Sequence, residues 1–382
     1  MRLVHTADWH LGRIFYGQHL TGDQAHLLDQ LFELLREQRA DALLVAGDVY
    51  DRAVPPPEAV ELLSELVARV TVDLGLSIVM IAGNHDSPDR LSFAARILRE
   101  RGLHIFGELA PSGHVVTLED AHGPVAIHAL PYSEPAHARQ VVPEADPRGH
   151  AEATKALIEL SRRAHPSGAR SVLVAHAFVE EGEKSESERP LTVGGAGTVP
   201  ASVFDGFDYV ALGHLHRPQR LGERPVCYSG SLMPYAFSEA IHDKSVTVVE
   251  LDAQGACHVE RVALTPRRQV RCVEGHLAQL LEGPAPGQSR HDYLKVSLLD
   301  RDAILDAMGQ LRAVYPNVLH LEWSGLEVDG ALEVERGDPR KRDDAELFAA
   351  FYQQVCGQPL EQEQAELFRD VADALRAADR ER

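Results

Sequence analysis

Cysteine is scarce in this chain: four in 382 residues (Cys227, Cys257, Cys272 and Cys356), with no paired spacing among them. That excludes a zinc ribbon and a disulfide framework and leads us to expect a reducing, cytoplasmic setting. Apolar runs are short. None approaches the roughly 20 residues needed to cross a bilayer, so no membrane association is expected. The opening "MRLVHTADWH" has neither an apolar signal core nor a small-residue cleavage site. Positive charge is also in deficit: 38 Lys and Arg against 58 Asp and Glu give a formal net charge of −20. That balance disfavours nucleic acid as a ligand held by electrostatics alone. It becomes admissible where metal ions or a partner protein supply positive field locally.

What the chain does have is length for two or three domains, and the 44% hydrophobic and 25% charged residues of a globular protein. One pattern recurs in it. A short apolar run reads as a strand and stops at side chains that can ligate a metal. Leu3 and Val4 lead to Thr6, Asp8 and His10. Leu43 to Ala46 lead to Gly47, Asp48 and Asp51. Ile78 to Ile81 lead to Gly83, Asn84, His85 and Asp86. Val172 to Ala175 lead to His176, and Tyr209 to Leu212 lead to Gly213, His214 and His216. Between the first three strands, Leu27, Leu28, Leu31, Leu34 and Leu35, and then Val60, Leu63, Val67 and Val70, recur with a helical period. Strands alternating with helices imply an α/β sheet, and such sheets bind ligands at the carboxyl ends of their strands. The five polar clusters are therefore expected to converge in one crevice.

Asp8, His10, Asp48, Asn84, His176, His214 and His216 offer two carboxylates, one amide oxygen and four imidazoles. This exceeds a single tetrahedral zinc site and suits two first-row ions sharing one carboxylate. The absence of thiolate favours manganese, iron or zinc. Asp48, on a strand placed between the others, is the natural bridge. Two ions about 3.5–4 Å apart hold the attacking and leaving oxygens of a displacement at phosphorus. Gly47, Gly83 and Gly213 are expected to let the backbone turn tightly before each ligand.

The motifs "DWH", "GDVYD", "GNHD" and "GHLH", in that order with an isolated His176, resemble the calcineurin-like metallophosphoesterases. "HTADWHLGRIFYG", "VAGDVYDRAVPPPEAV", "YVALGHLHRPQ" and "YSGSLMPYAFSE" narrow the likeness to the SbcD family of bacterial nuclease subunits. The resemblance implies a four-layer αββα sandwich. It also implies a manganese-dependent nuclease with double-strand exonuclease and single-strand endonuclease activity. Such a subunit works with the SbcC ATPase on DNA double-strand breaks and hairpins. On the motif positions it assigns Asp8, His10, Asp48 and His216 to one Mn²⁺, and Asp48, Asn84, His176 and His214 to the other, with iron or zinc as alternatives. His85 becomes the non-ligand catalytic histidine, Asp51 its orienting partner, and Asp86 a capping residue. The Gly-His-x-His stretch is then expected to be an extended turn, since its histidines serve different ions. A phosphatase or nucleotidase of the same fold is the alternative, and an inactive scaffold is disfavoured because all seven ligands are present.

The remaining features weigh less. His5, His104 and His128 sit in or beside apolar runs and read as structural histidines. "VGGAG" at Val193 to Gly197 lacks the Lys-Ser/Thr of a phosphate loop. "EEGEKSESERP", Glu180 to Pro190, reads as a charged loop that borders the site. Arg13, Tyr16, Arg52, Arg90 and Arg217 lie close to the motifs and are candidates for phosphate contact. Leu62, Leu63, Leu66 and Val70, with Phe93, Ala94, Ile97 and Leu98, carry more apolar surface than one sheet face needs and suggest a helix-against-helix homodimer. We expect a phosphoesterase domain over 1–265 and a small α+β capping domain over 270–335. A linker at 336–342, within "VERGDPRKRDD", leads to a helical segment over 343–382 that docks on SbcC. Its two apolar stripes are Leu347, Phe348, Phe351, Tyr352 and Val355, then Leu367, Phe368, Val371 and Leu375.

Overall fold

A computed structural model describes residues 1–188, 197–302, 304–324, 345, 348–349, 351–353 and 358–380. The chain divides into two compact units, Met1–Arg271 and Cys272–Arg382.

The first unit holds two six-stranded sheets. In one, Cys257–Ala263, Ser245–Leu251, Arg2–Thr6, Ala42–Val45, Ser77–Ile81 and Leu103–Phe106 lie side by side in that order. The last four run parallel to one another. In the other, the order is Gln219–Arg220, Val226–Tyr228, Tyr209–Gly213, Arg170–His176, Gly123–Leu130 and Val115–Asp120. Its four inner strands are parallel. Every expected ligand strand is thus a parallel strand of one sheet or the other.

Alternation along the strands explains why the sheets stack. Val172, Val174, Tyr209 and Ala211 meet Leu3, Leu44, Val79 and Ile81 in one core between the sheets. Leu173, Val210 and Leu212 point the other way and meet Leu157, Ile158 and Phe204, on and beside the helix His150–Arg162. On the first sheet's side, the helix Thr21–Glu37 buries Leu27, Leu28, Leu31 and Leu35 and packs beside the helix Pro57–Ala68. The result is the expected helix–sheet–sheet–helix layering. No helix among the described residues is long and apolar enough to cross a membrane.

Two of the three structural histidines are fully satisfied. His5 meets Tyr209 Oη at 2.9 Å and the Leu212 carbonyl at 3.1 Å, and burial holds its pKa down at about 3. His128 meets Ser161 Oγ at 2.7 Å and His165 Nδ1 at 3.0 Å. His104 keeps a buried Nδ1 with no hydrogen bond.

The expected apolar helix faces are distributed differently. Leu63, Leu66 and Val70 turn into the core, while Val60, Val72, Phe93 and Ile97 stand exposed. The stretch around Phe93 is not one helix: Pro88–Leu91 and Ala95–Leu98 are separated by Ala94 at φ +57°.

The strand Val270–Gly275, most of which belongs to the second unit, forms a three-stranded sheet with Tyr293–Leu298 and Val318–Trp323, the latter two strands parallel. The helix Ala307–Val314 connects those two strands. It starts at Asp306, whose carboxylate accepts the Gly309 N–H. Leu277, Leu294, Val296, Leu311 and Val318 make its core. The helix Gln362–Arg380 carries Leu367 and Val371, both exposed, and Phe368, whose ring stacks on Phe348 with centroids 4.1 Å apart. Val193 to Ala196, the linker 336–342, Leu347, Val355 and the side chain of Leu375 lie outside the described residues.

Candidate metal centre

The seven expected ligands come together at the carboxyl ends of five parallel strands. The local backbone is unusual. Asp8, His10 and Asp48 adopt φ of +52°, +47° and +50°, and His214 adopts +108°. Non-glycine residues rarely occupy this region, and strain of this kind collects where a structure must aim particular side chains. Cross-links hold the turns. Asp8 N–H donates to the Gly47 carbonyl at 3.0 Å, and His10 N–H to the Asp48 carbonyl at 3.0 Å. Gln24, buried on the helix Thr21–Glu37, accepts from Gly12 N–H at 3.1 Å and donates to the carbonyls of Trp9 and His10 at 3.0 and 2.8 Å. Tyr235 donates its hydroxyl to the Trp9 carbonyl as well.

The glycines act by two routes. Gly47 sits at φ +89°, where a turn requires it. Gly83 and Gly213 are needed for space instead: a Cβ on Gly83 would strike Asp48, and one on Gly213 would strike the Ala46 carbonyl.

Asp86 acts as the expected cap. Its carboxylate accepts the N–H groups of Val49, Tyr50 and Gly83 at 3.1, 2.9 and 2.9 Å, tying the second motif to the third. Burial and the neighbouring Asp48 push its pKa up to about 7.

Asp8, His10 and His216 form one cluster, and Asp8, Asp48 and His176 another, each with candidate donor atoms within 4.8 Å of one another. His10 Nε2 lies 3.1 Å from His216 Nε2 and 3.7 Å from Asp48 Oδ2. Asn84 Oδ1 lies 2.9 Å from His176 Nε2 and 3.1 Å from His214 Nδ1. His176 Nε2 is also 3.6 Å from Asp48 Oδ2. Asp48 is therefore within reach of both groups, and its other oxygen accepts the His85 N–H at 2.9 Å. The strand Tyr209–Gly213 ends without entering a helix, so the Gly-His-x-His stretch is the expected turn, and His214 N–H donates to both Asp8 oxygens.

The donor chemistry fits divalent cations. Burial, and next the facing Asp48, push the Asp8 carboxyl well above the usual carboxylate range. Burial holds His10, His176 and His214 below the ordinary imidazole value, which keeps them neutral as ligation requires. His176 Nδ1 donates to the Ala46 carbonyl at 2.8 Å, so its Nε2 carries a lone pair facing the Asn84 amide oxygen. Acceptors that face one another across 2.9 Å are what a cation between them would reconcile.

His85 is buried. Its Nδ1 donates at 2.8 Å to the backbone carbonyl of Asp51, not to the Asp51 carboxylate. That carboxylate takes Arg13 at 2.8 Å and lies 3.6 Å from His10 Nδ1. Of the phosphate-contact candidates, Arg13 is thus engaged with Asp51 and also lies over the Tyr235 ring. Arg217 pairs with Glu183, Tyr16 is exposed beside Phe15 and Phe237, and Arg52 and Arg90 are exposed.

Sequence reading missed Gln24, Tyr235, Glu239 and Lys244. Gln24 left a signal as a polar residue in register with Leu20, Leu27, Leu28 and Leu31 on a buried helix face, and Tyr235 and Glu239 lie within "YSGSLMPYAFSE", while Lys244 left none. The charged loop does border the site: Glu188 accepts the His216 N–H at 2.8 Å, and Ser187 Oγ lies 2.5 Å from His216 Nδ1.

The family described as calcineurin-like phosphoesterase matches residues 1–218, which is the class that this double sheet and its strand-end donors define. A second family, described as Type 5 capsule protein repressor C-terminal domain, matches residues 266–355. The SbcD subunit of nuclease SbcCD from Staphylococcus saprophyticus subsp. saprophyticus is 30% identical over 375 residues, covering 98% of each chain. The chain belongs to the calcineurin-like phosphoesterases and, within them, to the SbcD family of nuclease subunits. Among solved structures, a dimetal phosphatase from Danio rerio covers 71% of this chain and 98% of its own, at 12% identity and a TM-score of 0.41.

Proposed function

We propose that the protein is the nuclease subunit of an SbcCD-type complex. It hydrolyses DNA phosphodiesters as a double-strand exonuclease and single-strand endonuclease, in the cytoplasm, beside an SbcC ATPase. The observation that carries this reading is the gathering of oxygen and imidazole donors in two groups that Asp48 approaches from one side and the other, in a chain of which 98% is matched by the SbcD subunit of a nuclease SbcCD.

In this reading Asp8, His10, Asp48 and His216 hold one Mn²⁺, and Asp48, Asn84, His176 and His214 hold the second. Such a pair, when bound, supplies Lewis acidity toward phosphorus and hydroxide near neutral pH. The chain's own work is to place them and to move a proton. The Asp51 carbonyl keeps the Nδ1 proton of His85, so the proton that goes to the leaving sugar oxygen is a second one, carried on Nε2 in the imidazolium form, which returns to the neutral Nδ1–H imidazole on giving it up. Arg13, Tyr16, Arg52, Arg90 and Arg217 are the proposed phosphate contacts, with Arg13 and Arg217 exchanging their carboxylate partners Asp51 and Glu183 for phosphate. Mn²⁺-dependent cleavage of single- and double-stranded DNA, assayed beside a generic phosphodiester, tests the reading. Turnover of the small ester with DNA left intact would favour a phosphatase instead.

The exposed Phe93, Ile97, Val60 and Val72 favour a homodimer. A dimeric mass by light scattering at micromolar concentration is expected, and a strictly monomeric mass would contradict it. The helical segment is proposed as the SbcC dock. Each large apolar side chain it covers is worth roughly 1.5–3 kcal/mol. A chain ending near Arg340 is then expected to keep its ions and cut single-stranded DNA. It should also lose its complex with SbcC in a pull-down, along with ATP-dependent digestion of duplex ends. Undiminished SbcC binding would remove the docking role.

A further inference from the structure

We infer that Glu239, braced by Lys244, is a positioning residue for His216: it holds the imidazole in the tautomer whose Nε2 lone pair points into the metal centre. The inference rests on the metal-centre reading above.

Glu239 is fully buried, and His216 and Lys244 nearly so. Glu239 Oε1 lies 3.2 Å from His216 Nδ1, and Oε2 accepts from Lys244 Nζ at 2.6 Å. A carboxylate can only accept, so the His216 Nδ1 must carry the proton and Nε2 the lone pair. That Nε2 is the atom 3.1 Å from His10 Nε2. Ser187 adds to the arrangement, since its hydroxyl bonds Glu239 Oε1 and approaches the same Nδ1. Lys244 also grips the residue from behind, donating to the His216 carbonyl at 2.8 Å and to Ser231 Oγ at 2.9 Å.

Lys244 Nζ, 2.6 Å from Oε2, sets a cationic group against the Glu239 carboxylate inside this buried cluster. An ion pair this deeply buried is a poor source of stability compared with an apolar pair of the same volume. Its effect here is to keep a charged acceptor fixed against one ring nitrogen. Partners of this kind orient metal-ligating histidines and raise their basicity. His176 receives the same service from a backbone carbonyl, which no side-chain substitution removes.

The test uses the full chain, Mn²⁺ as the probe, and two paired variants. Glu239→Leu with Lys244→Met removes both charges and leaves no unpaired buried ion. Glu239→Gln with Lys244→Met restores an amide oxygen that accepts the same proton. In the first we expect one of the two Mn²⁺ ions to weaken by about 10–100-fold in chelator competition, the other holding. In metal-free protein, nitrogen chemical shifts should show His216 moving from the Nδ1–H form to a mixture of tautomers. The second variant should recover most of both. A folded first variant that binds both ions as the wild type does, with the Nδ1–H tautomer unchanged, would overturn the inference. Wild-type protein that binds no Mn²⁺ would overturn the metal-centre reading and this inference with it, a result distinct from equal binding by wild type and variant.

Discussion

Asp48→Ala is expected to strip both ions from the chain and abolish cleavage. Asp48 lies within reach of both donor groups, at 3.7 Å from His10 Nε2 and 3.6 Å from His176 Nε2. Its removal should therefore act on two sites at once, where loss of a terminal ligand acts on one. Elemental analysis of the gel-filtered variant should find well under one tightly bound ion per chain. Its Mn²⁺-dependent stabilisation, worth about 2.7 kcal/mol at a hundredfold excess over Kd, should vanish from thermal unfolding. Asp48→Asn is the control for folding, because its amide oxygen can still accept the His85 N–H seen at 2.9 Å. It also relieves the repulsion that pushes Asp8 upward. The metal-free Asn variant should be at least as stable as metal-free wild type while still failing to hold two ions. Two tightly bound ions in either variant would rule out the bridge.

His85→Ala is expected to do the opposite: keep both ions and lose cleavage by about 10²–10⁴-fold. At 1.36 kcal/mol per decade this is about 3–5 kcal/mol of transition-state stabilisation. The imidazole lies within the site, with Nε2 3.9 Å from Asp48 Oδ2 and its ring edge-on to His10. Asp51→Asn sharpens the test. The group that orients His85 is a backbone carbonyl, so this substitution leaves the hydrogen bond in place and disturbs Arg13 instead. Its effect should stay below about tenfold, far short of the fall expected when an acid–base group is removed. Single-turnover rates with metal content measured on the same sample separate the outcomes. Loss of ions together with activity would make His85 a ligand, and a large effect of Asp51→Asn would return the orienting role to the carboxylate.

The α/β sheet and the convergence of donors were legible because they follow from period and position, whereas the double-sheet layering was implied only by the family resemblance. An apolar run ending in Asp, Asn or His marks a strand end, and parallel sheets gather such ends on one side. What was not legible depends on contacts distant in sequence. Asp8, His10 and Asp48 hold left-handed backbone that glycine would adopt more readily, and for Asp8 and His10 the carbonyls of Gly47 and Asp48 stabilise it from a different strand end. Gly83 and Gly213 looked like turn residues and are there for space. Asp51 was read as the orienting partner without saying which of its atoms does the work, and it is the backbone carbonyl that His85 meets. Which positions of the apolar helix faces would be surplus was not legible: Leu63, Leu66 and Val70 lie in the core while Phe93 and Ile97 stand exposed, because a helical stripe does not reveal which neighbour covers it. That Glu239 and Lys244 pair in the interior could not be inferred, since a buried ion pair has the composition of a surface one.

Cleavage of DNA by this chain is expected to require two ions held around one bridging carboxylate. The most direct measurement is a titration of metal-free protein with Mn²⁺, following bound ions per chain and the rate of oligonucleotide cleavage on the same samples. The rate should stay near zero as the first ion binds and rise with the second, reaching its plateau at two ions per chain. Full activity at one ion per chain, or two bound ions with no cleavage of DNA, would contradict the account.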